Sequence, residues 1–457
     1  MSIFREYDIR GIFGKDLTRN HVFAIGVFVG QRILSQGQRI VFVGFDARVH
    51  SQELLEWLGA GLEHGGVDVV EIGMVPTPVA YFCTYHEIDG ICATSSIMIT
   101  GSHNPPEYNG FKITIDRKPF YGSQIQSLRQ EIESSNLVAI PRSRDRVCVD
   151  ALSQYVAFLS THFQSLENFP YAIALDYGNG VAGLGMERIL ENLGIHHQSL
   201  YANPDGTFPN HHPDPSEEKN LKDLKDLMRT QDLPIGLAFD GDGDRIALLT
   251  QNHHFKGDEL GILFAKQIAQ NKPNPLIIGE VKCSQVMYDA INAFGKGLMY
   301  KTGHSNLKVK LKELGADLAV EMSGHIFFHD RYYGYDDATY AGLRALELFA
   351  KKSPKELEDV IAQLPKVYAT PEEKIPTTEE EKFEKIASLH QRLKNPPLGF
   401  PKIVEIIAID GVRVVFEKGW GLVRASNTTP VLVTRFEAEN EALAMEYKKA
   451  LLKLLES

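Results

Sequence analysis

Thr100-Gly101-Ser102-His103-Asn104-Pro105-Pro106-Glu107-Tyr108-Asn109-Gly110-Phe111-Lys112 is the stretch around which the rest of the chain is organised. It follows residues 91–99, an apolar, Ser- and Thr-containing run that reads as a buried strand or its end. Gly101 and Asn104-Pro105 break any regular element, and Phe111-Lys112-Ile113 resumes one. Ser102 and His103 are therefore expected on an exposed turn at a strand end. Ligand loops of α/β sheets gather at the carboxyl ends of strands. A serine beside a histidine and near a lysine suits a nucleophile or phosphate carrier. Taken alone, the same pair also reads as an ordinary polar turn.

A second cluster separates those readings. In Asp240-Gly241-Asp242-Gly243-Asp244-Arg245, three carboxylates alternate with glycines. The glycines let the backbone curl until the carboxylates converge on one hard cation, Mg²⁺ or Ca²⁺. An EF-hand loop needs Gly at its sixth position and Glu at its twelfth, where this chain has Arg245 and Gln251. The competing structural reading is an Asp-Gly hairpin turn. Three Asp at this spacing after the strand-like 235–239 favour a metal site.

Working outward, 39–45 reads as a buried strand ended by Asp46-Ala47-Arg48, 52–64 as a helix capped by Ser51, and 67–72 as another strand before Pro76-Thr77-Pro78. Upstream, 21–34 reads as a helix, and Arg10 in the opening segment is a candidate anion ligand. Alternating strands and helices predict an α/β layer with a largely parallel sheet. After the polar connection 134–150 the pattern restarts with a helix over 151–166 and a strand over 171–176. Gly178, Gly180 and Gly183 match the dinucleotide spacing, but no acidic residue closes a clear strand about twenty residues on. His211-His212 reads either as a ligand pair or as part of a proline-studded structural loop. A third restart runs from the helix 257–270 and the strand 275–279. Its strand ends carry Lys282, His304, and Glu321 with Ser323, together resembling one wall of a sugar-binding cleft.

From Pro365 the character changes. A charged helical stretch leads to two β-rich runs joined by Asp410-Gly411, a hairpin signal. A terminal α+β domain with an antiparallel sheet is expected. Arg424, Ser426, Asn427 and Thr428 form a donor-rich loop suited to phosphate, where the guanidinium supplies a fork.

At 457 residues, with 43% hydrophobic and 23% charged residues, the chain fits three or four soluble domains. It contains no run of eighteen apolar residues, and its first residues lack a signal-peptide core. The four cysteines, Cys83, Cys92, Cys148 and Cys283, fit neither a zinc site nor a disulfide framework. A cytoplasmic protein with reduced thiols is the expectation. The net charge of −11 disfavours nucleic acid and anionic membrane as partners, while local Arg and Lys leave room for a small anionic substrate.

Taken together, the 100–105, 240–245, 321–325 and 424–428 motifs, in this order, resemble the α-D-phosphohexomutase superfamily, most closely its bacterial phosphomannomutase/phosphoglucomutase branch. The resemblance spans nearly the whole chain. It implies a heart-shaped four-domain architecture: three related α/β domains with mixed sheets (1–149, 150–250, 251–364) and a mobile C-terminal α+β domain (365–457). It implies that Ser102 carries a phosphoryl group and that Ser102, Asp240, Asp242 and Asp244 hold Mg²⁺. Glu321 and Ser323 would contact sugar hydroxyls, and the Arg424, Ser426, Asn427, Thr428 loop would bind the phosphate that is not reacting. Tyr7, Arg10 and Lys282 match substrate-binding positions. His103, Lys112, Arg245 and His304 match catalytic ones, Lys112 and His304 as proton-transfer candidates. The implied reaction interconverts the 1- and 6-phosphates of mannose and glucose, with hexose 1,6-bisphosphate as intermediate and activator, in a monomer or homodimer. The rivals are a serine-nucleophile phosphatase, a sugar-phosphate-binding protein and a phosphoglucosamine mutase; against the last stands Met322, where Gln is usual. Val320 replaces the branch's usual Gly, and a side chain there is expected to tilt Glu321 or narrow the cleft.

Overall fold

A computed structural model describes residues 3–141, 145–427 and 429–456. Its first three sheets share one plan. In the first, Ile40–Phe45 lies between Asp68–Met74 and Ser96–Ile99, parallel to both, and Tyr108–Ile115 returns antiparallel to Ser96–Ile99. The second repeats this with Ile173–Asp176, His197–Leu200, Ile235–Phe239 and Ile246–Thr250. The third does so with Leu276–Glu280, Lys296–Tyr300, Leu318–Val320 and Ile326–Phe328. Parallel neighbours need crossovers, and helices supply them in each unit: Ser51–His64 and Thr77–Cys83, then Gly183–Asn192 and Lys222–Thr230, then Gln285–Asn292 and His304–Leu314. The mixed sheets follow from the last strand of each unit turning straight back on its predecessor.

That turn sets the position of the chemistry. The Ser102 loop, the three-Asp loop and the Glu321 loop are the same connection in three successive units. The fourth sheet is antiparallel through Ile403–Ile407, Val412–Phe416, Gly419–Ala425 and Val431–Ala438, and the Arg424 loop again joins two neighbouring strands. The helices Glu381–Arg392 and Glu441–Glu456 complete this α+β domain.

Central strands are buried on both faces, as the continuous apolar run of Ile235–Phe239 requires. One apolar core runs from Phe42 through Phe239 to Leu357 and joins the first three units, whereas the fourth sheet has a separate core from Leu389 to Leu454. Several elements differ from the sequence expectation. Pro76-Thr77-Pro78 opens a short helix, because proline suits a helix's first turn. The expected strand over 91–99 shortens to Ser96–Ile99. The helix begun at Ala151 stops at His162 and tightens into a 3₁₀ turn over Gln164–Leu166. Lys296–Tyr300 and the buried helix Ala338–Phe349 come in addition to the elements read from the sequence. No helix among the described residues is long and apolar enough to cross a membrane.

Candidate active site

Ser102 sits in the left-handed region at φ 49°, unusual for a residue with a side chain, and is 1% exposed. Its loop is held from beneath. Arg48, buried just beyond the strand Ile40–Phe45, donates to the carbonyls of Ser102 (2.9 Å), Asn104 (2.6 Å), Pro105 (2.6 Å) and Tyr108 (2.9 Å). Asp46 pairs with that guanidinium at 3.2 Å and accepts from Thr100 Oγ1 (2.8 Å) and the Gly101 amide (3.3 Å). Neither residue was picked out from sequence beyond ending a strand. Their signal was positional, since they occupy the carboxyl end of a parallel strand.

The second unit approaches from above. Ser102 Oγ donates to Asp240 Oδ2 at 3.0 Å and lies 3.1 Å from His103 Nδ1. Gly241 makes the approach possible, because a Cβ there would fall 2.6 Å from the Ser102 carbonyl oxygen. The Asp240–Arg245 segment is both a hairpin connection and a carboxylate cluster, so the two sequence readings coincide. Asp240 Oδ1 accepts from the amides of Asp244 (3.0 Å) and Arg245 (3.1 Å), which curls the loop. Lys112 bridges Oδ2 of Asp242 (2.6 Å) and Oδ2 of Asp244. Burial opposes its charge, yet these carboxylates outweigh burial and hold the ammonium above its ordinary pKa. Thr77, another residue the sequence did not single out, donates to Asp242 Oδ2 at 2.5 Å.

The carboxylates suit a divalent cation. One oxygen from each of Asp240, Asp242 and Asp244 lies within 4.8 Å of the others. Oδ1 of Asp242 and of Asp244 are buried with no hydrogen-bond partner. Burial first, and then the two neighbouring carboxylates, push Asp240 well above the usual carboxylate range, while despite burial Lys112 holds Asp242 below it; a hard dication would relieve the repulsion at Asp240. Asp244, His325 and Asp336 form a second close group. Arg245 Nε donates to His325 Nε2 at 2.9 Å. An arginine cannot accept, so the proton of a neutral His325 is on Nδ1, 3.0 Å from Asp336 Oδ2 and 3.5 Å from Asp244 Oδ1. In that tautomer Nδ1 carries a hydrogen and offers no lone pair, which speaks against a metal there. His325, the last residue of the 321–325 motif, thus belongs to the site.

His304 opens its helix at the edge of the same pocket, 3.8 Å from Asp336 Oδ2 and edge-on to the Tyr7 ring. Burial first, and then Lys308, hold its pKa well below the ordinary value, as burial and Arg245 do for His103. Both imidazoles are thereby biased toward the neutral form. Arg10 pairs with Asp8 (2.8 Å) and donates to the Asn104 side chain beside the Ser102 loop. Across the cleft, Glu321 accepts from the Gly303 amide (2.8 Å) and from Ser323 Oγ (3.1 Å). Lys282 lies 3.4 Å from buried Glu280 and donates to Glu372 at 3.0 Å. Glu280 also accepts from the Met322 amide at 3.0 Å and from Thr302 Oγ1, tying together the loops that carry Glu321 and His304.

On the fourth domain, Arg424 pairs with Asp410, Ser426 Oγ lies 2.9 Å from Thr429 Oγ1, and Asn427 donates to the Tyr7 hydroxyl. Thr428 lies outside the described residues. The predicted residues therefore occupy a continuous set of facing loops. The Gly178–Gly183 turn and His211 do not join them as ligands. Asp176 accepts from the Gly178 amide at 2.9 Å and pairs with His211 at 3.0 Å, which is the structural-loop reading. Val320 is fully buried, with its side chain in the core against Gly261.

A serine hydroxyl on a strained turn, a metal-competent carboxylate cluster and a facing wall of carboxylate, lysine and arginine define a phosphoryl-transfer site. Four family models match along the chain. They are the phosphoglucomutase/phosphomannomutase alpha/beta/alpha domains I (residues 1–138), II (149–254) and III (256–368) and the C-terminal domain (352–454). The chain is 43% identical over 442 residues to a Pseudomonas aeruginosa phosphomannomutase/phosphoglucomutase, covering 96% of this chain and 92% of that one. It is 40% identical to a Neisseria meningitidis phosphoglucomutase, covering 96% and 94%. The crystal structure of a Burkholderia thailandensis phosphoglucomutase/phosphomannomutase family protein superposes with a TM-score of 0.89 at 38% identity, covering 100% of this chain and 97% of that one. The chain belongs to the phosphoglucomutase/phosphomannomutase family, and it is an enzyme of that α-D-phosphohexomutase class.

Proposed function

We propose that the protein catalyses reversible transfer of a phosphoryl group between the 1- and 6-positions of mannose and glucose phosphates. The contact of Ser102 Oγ with Asp240 carries this reading, because a buried hydroxyl touching carboxylates that suit a dication supports phosphoryl transfer at that oxygen. Ser102 enters the cycle as phosphoserine. Its P–O bond breaks as a P–O bond forms to the free sugar hydroxyl, whose proton leaves while Ser102 Oγ takes one up, giving a hexose 1,6-bisphosphate. The bisphosphate turns round, its other phosphate returns to Ser102 Oγ, which gives up its proton, and the released sugar oxygen takes one.

Asp240, Asp242 and Asp244, with a phosphoserine oxygen, would hold Mg²⁺, which when bound offsets charge on the transferring group. Lys112 faces the same carboxylates as a fixed cation, and neutral His103 and His304 can accept or hold a proton. Glu321 and Ser323 orient the sugar through its hydroxyls, and Tyr7, Arg10, Arg245 and Lys282 line its path. Arg424, Ser426, Asn427 and Thr428 hold the phosphate that is not reacting in either orientation of the sugar. Each of the segments 1–149, 150–250, 251–364 and 365–457 then contributes one functional loop. The burial of Ser102 keeps water from phosphoserine and favours transfer over hydrolysis. A soluble cytoplasmic setting, as monomer or homodimer, fits this reading.

The test is a coupled assay of mannose 1-phosphate and glucose 1-phosphate with Mg²⁺ and a trace of hexose 1,6-bisphosphate, with free phosphate followed in parallel. Isomerisation without phosphate release is expected. Stoichiometric phosphate release, or turnover of glucosamine phosphate alone, would refute the proposal.

A further inference from the structure

The Arg424 loop is tied to the rest of the molecule by a closed circuit of hydrogen bonds. Arg424 Nε and Nη2 donate to the two oxygens of Asp410 at 3.1 and 3.3 Å. Asp410 Oδ2 also accepts from the Thr302 amide at 3.0 Å, in the third domain. The Thr302 carbonyl accepts from the Tyr7 hydroxyl at 2.8 Å, in the first domain, and that hydroxyl accepts from Asn427. The circuit begins at residue 424 and ends at residue 427 of one loop, and passes through three domains. Its fixed side, Tyr7 and Thr302, belongs to units that share a continuous apolar core, while the fourth domain has its own.

Asp410 occupies this place because of the turn that carries it. Gly411 takes φ 77°, and a Cβ there would fall 2.4 Å from Arg424 Cβ and 2.5 Å from the Val423 carbonyl oxygen. The hairpin tip is thereby pressed against residue 424, so that Asp410 cannot move independently of Arg424. With side-chain exposures of 6% and 13%, Arg424 and Asp410 form a pair largely withdrawn from solvent screening.

We infer that Asp410 is a positioning residue: it aims Arg424 and also clasps the fourth domain to the third through the Thr302 amide, so that one carboxylate serves both the anion-binding arginine and the docking of its domain. This rests on the assignment of Arg424 to the non-reacting phosphate. Swinging the fourth domain away breaks the Thr302–Asp410 and Tyr7–Asn427 bonds but leaves Arg424 with Asp410. The guanidinium therefore travels already aimed, and arrives with its partner docked.

Two substitutions in the full-length enzyme separate the roles. Asp410→Asn keeps a turn dipeptide that hairpins favour and an acceptor for the Thr302 amide, and loses the charge on Arg424. KM for hexose phosphate is expected to rise about tenfold, the size of one charge-assisted hydrogen bond, with hydrogen exchange around Thr302 little changed. Asp410→Ala is expected to raise KM at least as much and to speed exchange of the segment containing Thr302 by about tenfold. A raised KM with unchanged exchange in Asp410→Ala would overturn the clasp, and faster exchange with wild-type KM would overturn the positioning. Arg424→Ala serves as the control. If it leaves KM unchanged, the phosphate assignment itself fails; if it raises KM while neither Asp410 variant does, only the present inference fails.

Discussion

Arg48→Met tests the claim that the reacting serine is held by a buried cation beneath its loop. The substitution removes four bonds to the carbonyls of Ser102, Asn104, Pro105 and Tyr108 and the partner of Asp46, at a site where the arginine is 2% exposed. Adding four charge-assisted bonds at about 1.5–3 kcal/mol each overstates the loss, since the loop relaxes and water reaches some carbonyls. Removing one member of a buried ion pair costs about 3–5 kcal/mol, which sets the expected fall in unfolding free energy by urea titration. The functional effect follows from geometry. Ser102 at φ 49° persists only while its surroundings hold it there, and a displacement of about 1 Å from in-line geometry costs about a hundredfold in rate. Among the described residues the side-chain hydrogen bonds of Arg48 go to Asp46 and the Ser102 loop and none to the Glu321 or Arg424 loop, so kcat should drop about a hundredfold with KM within about threefold. Arg48→Lys, whose ammonium cannot fork across four carbonyls, should recover most stability but little of kcat. A methionine variant with wild-type kcat and stability would refute the reasoning; one that lost stability but kept kcat would show Arg48 to be structural only.

Ser102→Ala should abolish mutase turnover while leaving the thermal midpoint within a few degrees of wild type, since one buried hydrogen bond to Asp240 is lost, about 1–3 kcal/mol. Chelation should stop turnover reversibly, and Asp242→Asn should weaken the response to added Mg²⁺ by about tenfold or more in half-saturating concentration. Asp337, which accepts from the Tyr155 and Tyr332 hydroxyls, is raised by burial from 3.8 to about 6. The folded state therefore holds its proton more tightly than the unfolded chain. Stability from this group is complete below pH 4, falls as pH rises to 6, and is flat above. Relative to Asp337→Asn, the wild type should lose up to about 3 kcal/mol between pH 4 and pH 7, measured by urea unfolding. Val320→Gly should destabilise by about 2–3 kcal/mol through the void left against Gly261, and should leave the mannose-to-glucose rate ratio within about twofold. A changed ratio would restore the expectation that this side chain shapes the cleft.

Much of the site was legible because its residue types are chemically costly anywhere else. A row of three aspartates at alternate positions, or a serine turn flanked by Gly101 and Asn104-Pro105, has few purposes in a strand-end loop. The supporting residues were less legible for the same reason. Arg48, Thr77, Glu280 and Asp410 are ordinary in sequence, and become informative only when tertiary contacts bring them under a functional loop. Thr77 is 165 residues from the aspartate it orders, a distance no local pattern can carry. Val320 is the converse case: a departure from a familiar motif suggests an effect on the cleft, while the side chain itself is fully buried against Gly261.

The repeated unit also explains where motion can be placed. Its first three copies are welded by one apolar core, and uncovering that much apolar surface is expensive at about 25 cal/mol per Å². The fourth domain meets the third mainly through polar groups. Arg413 donates to the carbonyls of Val281 (2.6 Å) and Cys283 (2.8 Å), Arg435 to that of Lys282 (2.8 Å), and Glu437 accepts from the Gln285 amide (3.0 Å). A small apolar contact of Trp420 and Leu422 with Val281 lies among them. Such groups can exchange their partners for water at a small net cost, about 1 kcal/mol per bond, whereas an apolar seam cannot. A reaction that must admit a sugar phosphate, turn a bisphosphate round and exclude water needs one mobile wall against three fixed ones. The fourth domain is the wall whose attachments allow it. The residues that grip the distal phosphate are accordingly expected on this domain, and the phosphoserine and the metal ligands on the rigid three.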